Sequence, residues 1–83
     1  MSYSKEDYIQ WLTIRFAEAL KVEPSEVQQE TTFDRLGLDS LSLLTILGDL
    51  AEHLGQELET SLLFEHPTIL KLATFLAASS NED

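Results

Sequence analysis

A serine that follows a glycine and an aspartate stands at the predicted start of a helix, at Gly37, Asp39 and Ser40. Asp39 is a good N-cap because its carboxylate can accept hydrogen bonds from the free amides of the first turn. Ser40 then takes the first helical position, where the positive end of the helix dipole favours a phosphate ester. Gly37 permits a tight turn just before the helix. The pattern predicts a serine that is to be modified.

The same serine could instead be a catalytic nucleophile, which would need a base such as His53 or His66. The residues around Ser40 lack the G-x-S-x-G pattern of a nucleophile elbow. His53 lies roughly three and a half turns further along the same predicted helix, too far for contact. The histidines and acids also fit neither zinc spacing nor a calcium loop, so we expect no enzyme and no metal site.

The net charge of the chain and its distribution narrow the possible classes of function. The 83 residues carry 15 acidic and 5 basic side chains, which gives a net charge of −10. No Lys or Arg stands between Arg35 and Lys71, which excludes an ordinary surface for binding DNA or RNA phosphates. The acids around the serine helix favour a negative electrostatic potential that attracts basic partner proteins. The simpler alternative is that these acids only keep the protein soluble.

Length and composition predict one folded domain with a modest core, because 43% of the residues are apolar. We expect residues 1–83 to form it, with a folded core over 4–78 and a polar tail over 79–83. No apolar run approaches membrane-spanning length, and the N-terminus lacks a signal-peptide core. A cytoplasmic protein is therefore expected. The chain has no cysteine and hence no disulfide.

Capping residues and apolar spacing predict the first elements of the chain. Ser4 and Asp7 cap a helix over 5–21, and its apolar stripe comprises Ile9, Leu12, Phe16 and Leu20, flanked by Tyr8 and Ala19. Trp11 falls off this stripe and is expected to pack beneath a loop. Residues 22–39 are interpreted as a structured loop with a short turn near Ser25. Five apolar side chains would pin it to the core: Val22, Val27, Phe33, Leu36 and Leu38.

The serine helix, predicted over 40–54, presents two apolar sectors at 100° per residue. The core sector contains Leu43, Ile46, Leu47, Leu50 and Leu54. The second sector, here called the docking face, contains Leu41, Leu44, Thr45, Gly48 and Glu52. Its apolar members could bind partners or could simply extend the core of a leucine-rich helix.

His53 and Gly55 end the serine helix, since glycine suits the left-handed C-cap position. A short helix is predicted over 61–65 and a Thr68-capped helix over 69–78, whose core stripe comprises Ile69, Leu72, Ala73 and Leu76. The predicted fold is all-α: a small four-helix bundle of three main helices and one short helix, with a long structured loop between the first two.

Several segments resemble acyl carrier proteins, in which a serine carries 4′-phosphopantetheine. Residues 37–41 resemble the G-x-D-S-L attachment motif, and residues 22–27 resemble the V-x-P-x-x-V loop element. Residues 62–68 resemble the L-L-F-x-x-P-T segment of polyketide-synthase carriers. The resemblance runs in order along roughly residues 6–77, and it is closest to polyketide-type carriers.

The resemblance implies a non-catalytic, monomeric carrier. A phosphopantetheinyl transferase would take the arm from coenzyme A and attach it covalently to Ser40, beside Asp39, Gly37 and Leu41. The arm would supply the thiol that a cysteine-free chain lacks, and would present acyl thioesters to loading and processing enzymes with basic docking surfaces. Met1 and the short polar ends favour a free-standing carrier.

Two neighbouring interpretations stay open. Peptidyl carriers usually show a second glycine before the serine, where this chain has Leu38 and Asp39, so acyl cargo is favoured. Fatty-acid carriers often have glutamate where this chain has Thr45 and Ala51, so the polyketide line is favoured. An unmodified acidic helical interaction module remains the alternative outside the family.

Overall fold

The structure is a computed structural model that describes residues 3–80, and in this range it contains five α-helices and one short 3-10 helix. Their bounds are α1 Lys5–Leu20, the 3-10 helix Pro24–Glu26, α2 Phe33–Leu36, α3 Ser40–Leu54, α4 Leu62–Glu65 and α5 Ile69–Ser80. The predicted all-α class, the three main helices and the short α4 are confirmed. The additional helix α2 lies within the predicted structured loop.

Side-chain caps and left-handed residues set the ends of the main helices. The amide of Asp7 donates to Ser4 Oγ at 3.1 Å, and the amide of Ser4 donates back to Asp7 Oδ2 at 3.0 Å. Helix α1 ends one residue earlier than predicted because Lys21 is left-handed, with φ 61°. The amide of Lys71 donates to Thr68 Oγ1 at 3.0 Å, which confirms the predicted cap of α5.

Helix α5 runs to Ser80, two residues beyond its predicted end. Ser79 and Ser80 therefore continue the helix rather than forming part of a frayed tail. The rest of the predicted tail, residues 81–83, lies outside the described residues.

The core forms where α1 packs mainly against α5, with α3 closing it. Both predicted stripes are buried, apart from Leu20, which is half-buried at the end of α1. Ala17 is buried beside the α1 stripe, whereas Ala19, the predicted flanking residue, is exposed. Each residue turns about 100° around the helix axis, so residues two positions apart point to nearly opposite sides. This is why Ala17 lies in the core while Ala19 lies in solvent.

The long connection between α1 and α3 is pinned to the core by Val27, Phe33 and Leu38, which are buried as predicted. Val22 is exposed, so its predicted core role is wrong. Its amide closes the end of α1 by donating to Ala17 O at 3.0 Å, and this backbone role leaves the side chain at the surface. The connection is also joined to the start of α5 by an antiparallel bridge between Thr32 and Thr68.

Contacts between α1 and α3 show that the two helices run antiparallel. Arg15 forms an ion pair with Asp49, and the rings of Trp11 and His53 stack at 5.6 Å between centroids. The prediction that Trp11 packs beneath a loop is therefore wrong. Its ring fills the space between α1 and the last turn of α3, and the Arg15 guanidinium lies 5.1 Å from the ring centroid.

Candidate functional site

Ser40 is the first residue of α3, and it is exposed. Asp39 has an extended backbone, and its Oδ1 accepts a hydrogen bond from the amide of Ser42 at 2.8 Å, which confirms the predicted N-cap. The amides of Ser40 and Leu41 have no hydrogen-bond partner among residues 3–80, as expected for the first two helical positions. The serine hydroxyl therefore lies in solvent beside free donors at the positive end of the helix dipole.

The charge of Asp39 is stabilised by the group that it caps. The amide of Ser42, and then the Ser42 hydroxyl, hold the pKa of the Asp39 carboxyl below its ordinary value. Because folding lowers the pKa of Asp39, the ionised cap stabilises the folded state when the pH is above the ordinary pKa of the group. This stabilisation is lost as the pH falls through the lower, folded-state pKa. The start of α3 is therefore fully capped at neutral pH.

Gly37 forms the turn that delivers Ser40. It ends α2 in the left-handed region, with φ 98°, and its amide donates to Asp34 O at 3.2 Å. An L side chain is strained at this backbone conformation, whatever space surrounds it. Gly37 therefore sets the path of the chain toward Asp39, with the buried Leu38 anchoring the turn to the core.

The docking face of α3 is exposed at all five predicted positions. Leu41 is 74% exposed and Leu44 is 44% exposed, so two leucines of this face are open to solvent. On the opposite side, Ile46, Leu47 and Leu50 are buried, with Leu43 and Leu54 half-buried, which confirms the predicted rotation of the helix. The exposed leucines are thus not an extension of the core.

Gly48 provides a direct test of how open this face is. A Cβ built at Gly48 meets nothing within 4 Å, so Gly48→Ala should add helix propensity without a clash. We expect it to stabilise the fold by roughly 1 kcal/mol in denaturant unfolding. Gly55→Ala is the matched control and should destabilise the protein, because Gly55 is left-handed with φ 70°. Loss of stability in Gly48→Ala would show that the face is covered.

An apolar groove, which the sequence did not predict, lies beside Ser40. Its volume is about 570 Å³, and α2, α3 and the α4 region contribute its lining: Phe33, Asp34, Ser40, Leu43, Leu44, Thr60, Leu63, Phe64 and Pro67. The sequence contains one indication that a side chain of this segment, such as Phe64, is exposed. Leu62, Leu63 and Phe64 are consecutive, and a four-residue helix cannot bury three consecutive side chains on one face.

Not every acid near α3 is available to a partner. Asp49 is half-buried and paired with Arg15, which also lies 3.6 Å from Glu18. The other acids between Arg35 and Lys71 are exposed, namely Asp39, Glu52, Glu57, Glu59 and Glu65. These carboxylates form no ion pair within residues 3–80, whereas Asp49 joins α1 to α3.

The two histidines lie against other aromatic rings rather than against Ser40. The His53 ring contacts Tyr3 and Trp11, with centroid distances of 5.4 and 5.6 Å. His66 stacks on Phe75 at 4.4 Å. Within residues 3–80, no side-chain hydrogen bond joins either imidazole to the serine hydroxyl, so the arrangement lacks the base contact of a nucleophilic serine.

Metal-binding and membrane-spanning features are absent from the described part of the chain. No group of three or more His, Asp or Glu side chains there could hold a metal ion. None of its helices is long and apolar enough to cross a membrane.

The small helical bundle presents an exposed serine at a capped helix start, which is the arrangement expected of a carrier protein. The chain matches the family described as "Phosphopantetheine attachment site" over residues 10–76. It therefore belongs to this family and is a carrier protein, with covalently attached 4′-phosphopantetheine as the implied cofactor.

Curated relatives of the chain include large polyketide synthases. The chain is 33% identical to polyketide synthase PksL of Bacillus subtilis over 76 residues, which are 92% of this chain. It is 38% identical over 61 residues, 74% of this chain, to a phenolphthiocerol/phthiocerol polyketide synthase of Mycobacterium tuberculosis. These matches span 2% and 3% of the respective synthases. Carrier domains in proteins of this type work with partner synthase enzymes.

Solved structures of single carriers match over nearly the whole chain. Asl1650, an acyl carrier protein from Anabaena sp. PCC 7120, has a TM-score of 0.89 at 38% identity, covering 96% of this chain and 92% of that one. A free-standing peptidyl carrier protein from Acinetobacter baumannii has a TM-score of 0.86 at 33% identity, covering 92% and 95%. The fold is therefore common to acyl and peptidyl carriers.

Proposed function

We propose that Ser40 carries the 4′-phosphopantetheine arm, and that this single-domain chain tethers acyl groups as thioesters for polyketide or fatty-acid-like biosynthesis in the cytoplasm. The observation that carries the proposal is the exposed Ser40 hydroxyl at the capped start of α3. When attached, the arm supplies the thiol that the cysteine-free chain lacks.

The residues around Ser40 fit such a group. The Ser40 oxygen forms a new P–O bond, the phosphoanhydride of coenzyme A breaks, adenosine 3′,5′-bisphosphate leaves, and the hydroxyl proton passes to a base or to water. The free amides of Ser40 and Leu41, at the positive end of α3, would then be available to stabilise the phosphate. The Asp39 carboxylate is held by Ser42, so it remains a cap rather than a base for this step.

Polyketide-type acyl cargo is favoured over peptidyl cargo. Leu38 and Asp39 take the places of the second glycine of peptidyl motifs, and curated relatives of the chain include polyketide synthases. The structural likeness to a free-standing peptidyl carrier supports peptidyl cargo as the second candidate. Loading of the modified protein by acyltransferases, but not by amino-acid-activating enzymes, would support the first.

The attachment itself is tested by intact mass. After incubation with coenzyme A and a broad-specificity phosphopantetheinyl transferase, the protein should gain one phosphopantetheinyl group, and peptide mapping should place it on Ser40. A protein that stays unmodified with several such transferases would contradict the proposal and would favour an unmodified interaction module.

The docking face is proposed to bind the transferase and the acyl-loading and processing enzymes. Leu44→Asp should fold with a nearly unchanged melting temperature, because its charge would stay in water on the exposed face. It should nevertheless be modified on the order of tenfold more slowly, since partner binding would bury that charge. Thermal unfolding and the rate of phosphopantetheinylation are the two measurements.

A charge reversal at Glu52 is the companion variant. Glu52 is exposed near the opposite end of α3 from Ser40 and lines a cleft with Arg15 and Asp49. Glu52→Lys should slow modification at low salt and lose this effect at high salt, because it weakens long-range steering. If Leu44→Asp unfolds while Glu52→Lys reacts at the wild-type rate at low salt, the face does not bind partners.

A further inference from the structure

Phe64 is the most exposed large apolar side chain in the described part of the chain. It is 83% exposed, although its neighbour Leu63 in α4 is buried and Leu62 packs against the core. Among residues 3–80, no other aromatic ring lies against it. The ring therefore adds little to the fold, and an apolar side chain this exposed is typical of a contact surface.

The position of Phe64 connects it to Ser40. Phe64 lines the apolar groove together with Ser40 and Leu44, so α4 supplies one wall and α3 the other. Leu44 belongs both to this groove and to the docking face. The apolar surface of the docking face is thus continuous across the groove with Phe64.

The negative charges beside the groove and Phe64 indicate which kind of partner can bind there. Asp34 lines the groove, Glu65 follows Phe64 in α4, and Glu59 lies just before that helix; all three carboxylates are exposed. A second copy of the chain, with its own net charge of −10, would be repelled. The complementary partner is a basic protein surface that contains an apolar pocket.

We propose that Phe64 is a docking anchor for the phosphopantetheinyl transferase, seated in an apolar pocket rimmed by Lys or Arg. This inference rests on Ser40 being the attachment site. The transferase must bring a phosphorus atom within bonding distance of the Ser40 oxygen, so its surface closes over the mouth of the groove. Enzymes that act at the far end of the arm need not approach so closely.

Phe64→Ser tests the anchor, with Ile14→Ser as the matched control. Ile14 is also an exposed apolar residue, 40% exposed on α1, and it is not part of the groove lining. Phe64→Ser should raise the transferase KM for the carrier at least about fivefold, with kcat within about twofold, because buried aromatic anchors dominate interface energies. Ile14→Ser should leave both constants unchanged, and Phe64→Leu should recover part of the loss.

Salt and stability measurements separate an apolar anchor from other roles. The increase in KM at Phe64 should persist at high salt, since apolar contacts are not screened. An unchanged KM in Phe64→Ser, with wild type modified normally, would overturn the anchor and leave the Ser40 proposal intact. If Phe64→Ser lowers the melting temperature as much as Leu50→Ala does, the ring stabilises the fold, and the anchor proposal is overturned. Self-association of wild type that is lost in Phe64→Ser would assign the surface to a second copy instead.

Discussion

Ser40→Ala is expected to keep the helical fold of the wild type. It should gain no phosphopantetheinyl group under conditions that convert the wild type completely. Ser40 is exposed, its side chain forms no hydrogen bond within residues 3–80, and alanine is a strong helix former. The substitution therefore removes the attacking oxygen and leaves α3 in place. Intact mass and thermal unfolding, measured on the same samples, separate loss of the site from loss of the fold.

Ser42→Ala is the matched control for this variant. Ser42 lies two residues further along α3, and its backbone amide, which binds Asp39 at 2.8 Å, survives the substitution. It should be modified like the wild type. Modification of Ser40→Ala, or loss of modification in Ser42→Ala alone, would move the attachment site away from Ser40.

Leu50→Ala is expected to lower the free energy of unfolding by roughly 2–5 kcal/mol, as for other fully buried leucines. Leu50 is only 1% exposed and packs within the core cluster. The loss combines transfer of the side chain from water with the cavity that remains, so it is a large share of the stability of a small domain. Chemical denaturation with an unchanged slope is the appropriate measurement.

Glu52→Ala is the control for rotation of the same helix. Glu52 is exposed, and substitutions at such positions usually change stability by less than about 0.5 kcal/mol. Equal losses in Leu50→Ala and Glu52→Ala would mean that α3 is rotated relative to the core.

Helix starts can be predicted from the sequence because their causes are local. The caps at Ser4, Asp39 and Thr68 each involve an oxygen and an amide three residues apart, so the sequence alone contains both partners. The core and docking sides of α3 are predictable for a similar reason, since the helical repeat fixes which side chains share a face.

Features that depend on packing between elements escape such prediction. The position of Trp11 does so because its contact with His53 exists only once α1 and α3 lie antiparallel. Hydrophobicity alone assigns Val22 to the core, although the left-handed Lys21 turns the chain away. Helix α2 has four residues, too few to show a helical period in the sequence.

The groove is the clearest example of such a feature. Its walls come from residues of α2, α3 and the α4 region that are far apart in sequence, and no local pattern reports the space between them. The family resemblance identifies the segment that contains Phe64, but the exposure of the ring depends on how α4 packs against the core.

The bridge between Thr32 and Thr68 has a mechanical consequence for that groove. The amide of Phe33 donates to Pro67 O at 2.9 Å and the amide of Leu70 donates to Gln29 O at 3.0 Å, so the chain beside α2 is fastened to the chain that leaves α4. Phe33 and Pro67, both in the lining, therefore lie side by side in one wall of the groove, and α3 forms the opposite wall. Because these two segments are hydrogen-bonded to each other, we expect the wall that contains Phe33 and Pro67 to keep its shape if the groove changes width, so that any change would come from the position of α3 relative to this wall.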